Sequence, residues 1–203
     1  MNLRLLFRKL FKQYGSQHWW PAKARGYEAR CLEICIGAIL TQNTNWKNVE
    51  RALANLRETR ALSLKKLLTM RRSTIAILIR PSGYYNQKAI KLQAFAAFVK
   101  AQYVGSFRKM FKQPATALRE ELLTVHGIGR ETADSILLYA GNKPVFVIDA
   151  YTKRFLATQG VAFRQYDEYR EFFEKRLPRS VKLYQEFHAL LVVHGKQRGP
   201  GKI

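Results

Sequence analysis

The chain has 203 residues, enough to bury a core as one catalytic unit of one domain or two small lobes, and its 47% apolar content with 6 Pro and 12 Gly excludes a disordered or low-complexity protein. Its 36 Lys and Arg outnumber 14 Asp and Glu for a net charge of +22. A charge of that size repels itself unless a polyanion screens it, which favours nucleic acid as partner over a merely soluble basic surface or a membrane.

From the N-terminus, Leu3, Leu6, Phe7, Leu10, Phe11 and Tyr14 recur on one face of a helix over residues 1–15, with Arg4, Arg8, Lys9 and Lys12 mostly elsewhere. Such a helix can lie on a membrane, but nothing around it has the organisation of a secretory signal, and a helix docked on the protein's own core is expected. Apolar periodicity then predicts helices over 28–42, 46–58, 63–69, 73–79, 86–103, 115–124, 130–139, 150–158, 166–177 and 181–193. Apolar runs such as 34–40 and 136–140 are far too short to span a bilayer. Cys31 and Cys35 share a face of one predicted helix at poor geometry for a disulfide and are expected as buried thiols. Two cysteines cannot supply a four-thiolate cluster, and no Cys/His array has zinc spacing, so no metal site is expected. Breakers at Pro81-Ser82-Gly83, Gly105-Ser106, Pro114, Gly160 and Pro178 are too short to act as linkers between independent domains. No segment alternates convincingly as a strand. The short β-branched run 144–148, after the Gly141-Asn142 turn, reads as one extended connection in an all-α protein.

Two places carry chemistry. Val125-His126-Gly127-Ile128-Gly129-Arg130 turns tightly from one predicted helix into the next. Its glycines let the backbone approach a ligand, and the N–H groups that open the second helix suit a phosphate oxygen. Further on, the apolar run Val145-Phe146-Val147-Ile148 ends on Asp149 at a helix start, where an Asp ordinarily serves as N-cap.

The hairpin, the Gly141–Pro144 turn and Asp149, eighteen positions after Glu131, together resemble the helix-hairpin-helix-Gly/Pro-Asp signature of the endonuclease III superfamily of DNA glycosylases. Upstream, Gly37-Ala38-Ile39-Leu40-Thr41-Gln42-Asn43-Thr44 is similar to the helix end from which that superfamily inserts a Gln into the gap left by an extruded nucleotide. The resemblance implies an all-α, two-lobed fold with a DNA-binding cleft between the lobes. Residues 29–132 would form a six-helix lobe carrying the hairpin, and 1–28 with 133–203 a second helical lobe carrying Asp149. It implies Asp149 as the catalytic carboxylate and Gln42 with Asn43 as the DNA wedge; on the residues alone Gln42 is a solvated helix end. Val125, His126, Gly127, Ile128, Gly129, Arg130 and Thr132 would hold the DNA backbone, with Tyr151 and Arg154 one turn along the Asp149 helix.

Departures narrow the branch. Lyase-type members carry a lysine where Glu131 stands, and a carboxylate cannot form an imine; strand cleavage is expected to be absent unless Lys153 or Lys196 substitutes. Gly199, after His194-Gly195-Lys196-Gln197-Arg198, stands where many members place the first cysteine of an iron-sulfur cluster, so no such cofactor is expected. Both traits resemble the 3-methyladenine DNA glycosylase III type. His18-Trp19-Trp20-Pro21 is similar to its Trp-Trp-Pro pocket segment, Trp46 falls at its aromatic position after Gln-Asn-Thr, and Lys196 corresponds to its pocket lysine. Trp19, Trp20, Pro21, Trp46, Glu131 and Lys196 are therefore expected at the base pocket. Core packing is the alternative for the tryptophans, and a favourable charge in the first turn of a helix the alternative for Glu131.

What the resemblance implies is a monofunctional, monomeric glycosylase of base excision repair, cytoplasmic and nucleoid-associated, removing an alkylated purine such as 3-methyladenine from double-stranded DNA. A glycosylase for mismatched thymine or uracil, a bifunctional glycosylase/AP lyase and a non-catalytic DNA-binding module are the alternatives.

Overall fold

A computed structural model describes residues 1–198; Gly199 lies outside them. Among the described residues there are twelve α-helices and no strand. Contacts divide the chain into two compact units, 22–141 and 1–21 with 142–203.

The unit 22–141 is built around α2 (Tyr27–Leu40), whose residues from Cys31 to Leu40 are all buried. A helix that is buried all round must be packed on every side. α3 (Trp46–Glu58), α6 (Tyr85–Tyr103), α7 (Phe107–Met110), α9 (Arg130–Ser135) and a π-helical turn Ile136–Ala140 all pack against it. α4 (Leu64–Thr69) and α5 (Arg72–Leu78) pack on α6, and α8 (Ala115–Thr124) on α9. Caps explain several starts: Asn45 accepts from the Asn48 N–H at 3.1 Å, and Ser63 from that of Lys66 at 3.2 Å. The sequence pattern missed α7. Its four residues are too short for a periodic signal, and its N-terminus is held by Glu28, which accepts from the Phe107 and Arg108 N–H groups at 2.7 and 3.1 Å.

Lys88 is the largest polar departure in this core. Its ammonium donates to the Leu40 and Ser82 carbonyls at 2.9 and 2.6 Å, satisfying the last carbonyl of α2. Burial first, and Lys91 second, pull its pKa down to about 8. A lysine depressed in the folded state is protonated more readily when unfolded. Its stability contribution is therefore present above the ordinary lysine value and falls as pH drops through about 8. Wild type is expected to gain stability relative to Lys88→Met between pH 8 and 10, measured by urea midpoints; a constant difference would refute this.

In the other unit, α12 (Val181–Arg198) packs against α1 (Leu3–Tyr14) and α10 (Ala150–Thr158). Leu3 and Leu10 are buried, and the Phe7 ring meets Phe187 edge-on at 5.5 Å, so the amphipathic first helix docks on the core. Phe146, stacked 4.0 Å from Phe173 of α11 (Tyr166–Glu174), extends that core. No described helix is long and apolar enough to cross a membrane.

The dividing points fall at 21/22 and 141/142 rather than at the 28/29 and 132/133 expected from sequence. The π-helical turn continues the hairpin helix directly and is buried against α2. Glu33 of α2 accepts from the Lys23 and Ala24 N–H groups at 3.0 and 2.8 Å, which binds the stretch before α2 to the same unit.

Candidate active site

In the unit 22–141, α8 gives way to extended backbone at Val125, Gly127 takes φ 81°, and the extended Gly129 opens α9. Val125 and Ile128 are buried and anchor the turn, while His126, Gly129, Arg130 and Glu131 are exposed. The Ile128 N–H is already donated to the Val125 carbonyl at 3.0 Å. Arg119 on α8 grips Asp134 on α9 with both arms, Nε to Oδ1 at 2.6 Å and Nη2 to Oδ2 at 3.3 Å. Gly127 is required twice over: its φ lies where side chains are strained, and a Cβ would run into the aliphatic chain of Lys91. Gly127→Ala is expected to cost about 1–3 kcal/mol and to weaken duplex binding. Thermal melts and binding isotherms check this, and unchanged values in both would refute it.

The predicted helix over 28–42 ends at Leu40, and Gln42 lies in the turn before α3 beside the exposed, positive-φ Asn43. Gln42 Nε2 donates to the Gly127 carbonyl and to the Thr132 hydroxyl, each at 3.0 Å, and its Oε1 accepts from Lys91 at 2.5 Å. The turn and the hairpin are thus laced together by the side chain expected as wedge. Thr132 is buried, and its hydroxyl oxygen accepts from Gln42. Trp46 is the half-buried first residue of α3.

In the other unit, the run 144–148 is an extended connection, held by Glu174, which accepts from the Phe146 N–H at 2.8 Å, and by the Tyr166 hydroxyl, 3.2 Å from the Ile148 N–H. It delivers Asp149 to the start of α10, where Oδ1 accepts from the Thr152 N–H at 2.7 Å. Asp149 is therefore an N-cap through one of its two carboxylate oxygens. Oδ2 lies 3.6 Å from His188 Nε2 on α12. Burial alone would raise the pKa of this carboxyl; His188 and the Thr152 groups outweigh it and hold the acid below its ordinary value, hence ionised.

His188, only 5% exposed, in turn faces the Trp19 ring edge-on at 6.1 Å. The Trp20 ring meets Trp19 at 6.1 Å and is buried, whereas Pro21 is exposed. The Lys196 ammonium sits 5.9 Å over Trp19. Gly195 allows α12 to approach α10, since a Cβ there would overlap the Tyr151 ring, and the Arg154 guanidinium lies 4.7 Å over that ring. Lys153 instead faces the Tyr166 and Tyr169 rings at 5.8 and 5.5 Å.

One unit thus gathers Asp149, Trp19, Trp20 and Lys196. The other gathers Gln42, Gly127 and Thr132, and carries Trp46 and Glu131. Sequence reasoning missed His188 and Lys91. His188 precedes Lys196 by eight residues, two helical turns on one face, a spacing that could have linked them. A [4Fe–4S] cluster is held by four cysteine thiolates. The chain has Cys31 and Cys35, both buried in α2, with burial pushing the Cys31 thiol up to about 11 and the Cys35 thiol well above its ordinary value. These residues do not fit a cluster.

Among the described residues the fold is all-helical, with a glycine hairpin and an ionised aspartate that caps a helix after an extended connection, the features expected of a helix-hairpin-helix DNA glycosylase. The family model described as "HhH-GPD superfamily base excision DNA repair protein" matches residues 36–179, and the chain belongs to that family. It is 45% identical over 196 residues to "Putative DNA repair glycosylase MJ1434" of Methanocaldococcus jannaschii, covering 95% of this chain and 86% of that protein. It is similar to the structure of H. pylori 3-methyladenine DNA glycosylase (MagIII) bound to 1,N6-ethenoadenine, with TM-score 0.84, 31% identity, and 99% and 100% of the two chains covered. A trapped endonuclease III–DNA covalent intermediate shares the fold, with TM-score 0.81 at 19% identity over 99% of this chain and 88% of that one. The protein is a DNA glycosylase.

Proposed function

We propose that this glycosylase is monofunctional and monomeric, and hydrolyses the N-glycosidic bond of an extruded, alkylated purine such as 3-methyladenine in double-stranded DNA. The observation that carries this reading is the Asp149–His188–Trp19 series, which sets an ionised carboxylate beside an aromatic wall. The 31% identity to a 3-methyladenine glycosylase supports it.

A purine methylated at a ring nitrogen is cationic, so the Trp19 and Trp20 rings would bind it by stacking and by cation–π attraction, worth about 0.5–2 kcal/mol per contact. The hairpin backbone with Arg130, and the exposed Arg154, hold phosphates while Gln42 exchanges its bonds to the hairpin for the emptied stack. Asp149 stabilises the positive charge that develops on the deoxyribose and orients or deprotonates the water that attacks its anomeric carbon. The base leaves as a neutral molecule, so no strong general acid is required. Glu131, exposed in the first turn of α9, offers no amine for imine formation.

End-labelled duplexes carrying a methylated purine, a mismatched thymine or uracil, or an oxidised pyrimidine test this. Breakage of the methylated strand only after alkali is expected. Breakage without alkali, or trapping by borohydride, would assign lyase chemistry to Lys196 or Lys153, and preferential release of the mismatched base would replace the substrate class.

A further inference from the structure

We infer that His188 is a positioning residue for the glycosylase reaction: it fixes the reactive oxygen of Asp149 against the aromatic wall formed by Trp19. The assignment begins with the division of labour between the two carboxylate oxygens. Oδ1 is spent on the Thr152 N–H at 2.7 Å, which aligns it with the start of α10. Oδ2 is then the oxygen available to a developing sugar cation or a water, and the titratable side chain beside it is His188, with Nε2 at 3.6 Å.

The packing leaves this imidazole little freedom. The His188 side chain is 6% exposed and that of Asp149 13%, so neither sweeps through solvent. His188 is borne by α12, and Gly195 on the same helix brings α12 into close contact with Tyr151 of α10, so the helix that Asp149 caps and the helix that carries His188 meet at a second point. On its other side His188 meets Trp19 at 6.1 Å, and Trp19 is held in place two residues earlier by Glu186 of α12, which accepts from the Gln17 N–H at 2.7 Å and the Ser16 hydroxyl at 3.2 Å. One helix therefore sets both the acid and the wall, with His188 between them. Replacing the imidazole would let Oδ2 turn toward other donors, and a catalytic group misplaced by about 1 Å can cost on the order of 100-fold in rate.

The inference rests on Asp149 being the catalytic acid, and its test is read on whichever base the wild-type protein releases, so failure of the alkylpurine reading leaves it intact. Single-turnover excision and duplex affinity are measured for His188→Leu, His188→Gln, Asp149→Asn and the double variant Asp149→Asn/His188→Leu. His188→Leu is expected to slow excision about 10–100-fold with duplex affinity within about twofold. Gln, whose amide nitrogen reaches the place of Nε2, is expected to restore most of the rate. The double variant is expected to be no slower than Asp149→Asn alone, because the two residues act as one unit. A Leu variant at wild-type rate, a Gln variant no better than Leu, or losses that multiply in the double variant would each overturn the assignment.

Discussion

Asp149→Asn is expected to lower base excision by about 10²–10⁴-fold, the usual contribution of a positioned acid–base group, while the protein stays folded and continues to bind duplex. The separation of the two effects follows from the geometry of the cap. Asn and Asp are nearly equivalent N-caps, so an Asn side-chain oxygen can still accept from the Thr152 N–H that Oδ1 now receives at 2.7 Å. The variant loses only the charge, and with it the stabilisation of a cationic sugar and the capacity to take a proton from water. Asp149→Ala would remove the cap as well and is expected to cost about 0.5–2 kcal/mol of stability besides the activity. Single-turnover excision alongside thermal melts distinguishes the two. An Asn variant with wild-type excision would leave Asp149 as a cap and nothing more.

The place of Asp149 was legible in the sequence, and its surroundings were not. Asp149 stands out because an apolar run ends on it, a pattern local to a few residues. His188 has no such local mark: it sits inside the apolar stretch of α12, and that this stretch faces the start of α10 shows only in tertiary contacts, at Gly195 and between His188 and Asp149. The helices were read closely wherever a cap and a periodic face agreed, as at Asn45 for α3 and Asp149 for α10. They were misread where tertiary contacts decide the end. α12 continues past Val193 with His194 half-buried and hydrogen-bonded to Tyr14 at 2.9 Å. Glu28, a carboxylate on one helix that starts another, defines α7, and such a partnership across 79 positions leaves no periodic trace. Gln42 shows the same limit from the other side. Its motif marked it as a wedge, but its three hydrogen bonds to the hairpin and Lys91 are long-range pairings.

Asp134→Ala is expected to be the most destabilising single change in the hairpin, at about 3–5 kcal/mol, the usual loss when one partner of a buried ion pair is removed. Asp134 is fully buried and the Arg119 side chain 14% exposed, so solvent screens the pair little. The cost arises from leaving the guanidinium inside the protein without the two oxygens that now face it at 2.6 and 3.3 Å. In a protein of this size each kcal/mol lowers the melting temperature by roughly 2–4 °C, so a fall of about 6–20 °C is expected. Because the pair joins the helix before the hairpin to the helix after it, the loss should fall on the spacing of α8 and α9 and weaken duplex binding below the melting range. Arg119→Leu with Asp134→Leu removes both charges together and is expected to recover most of the stability, since apolar replacement of a buried pair is often neutral. If the double variant melted as low as the single, the buried guanidinium would not be the cause, and packing around α9 would carry the effect.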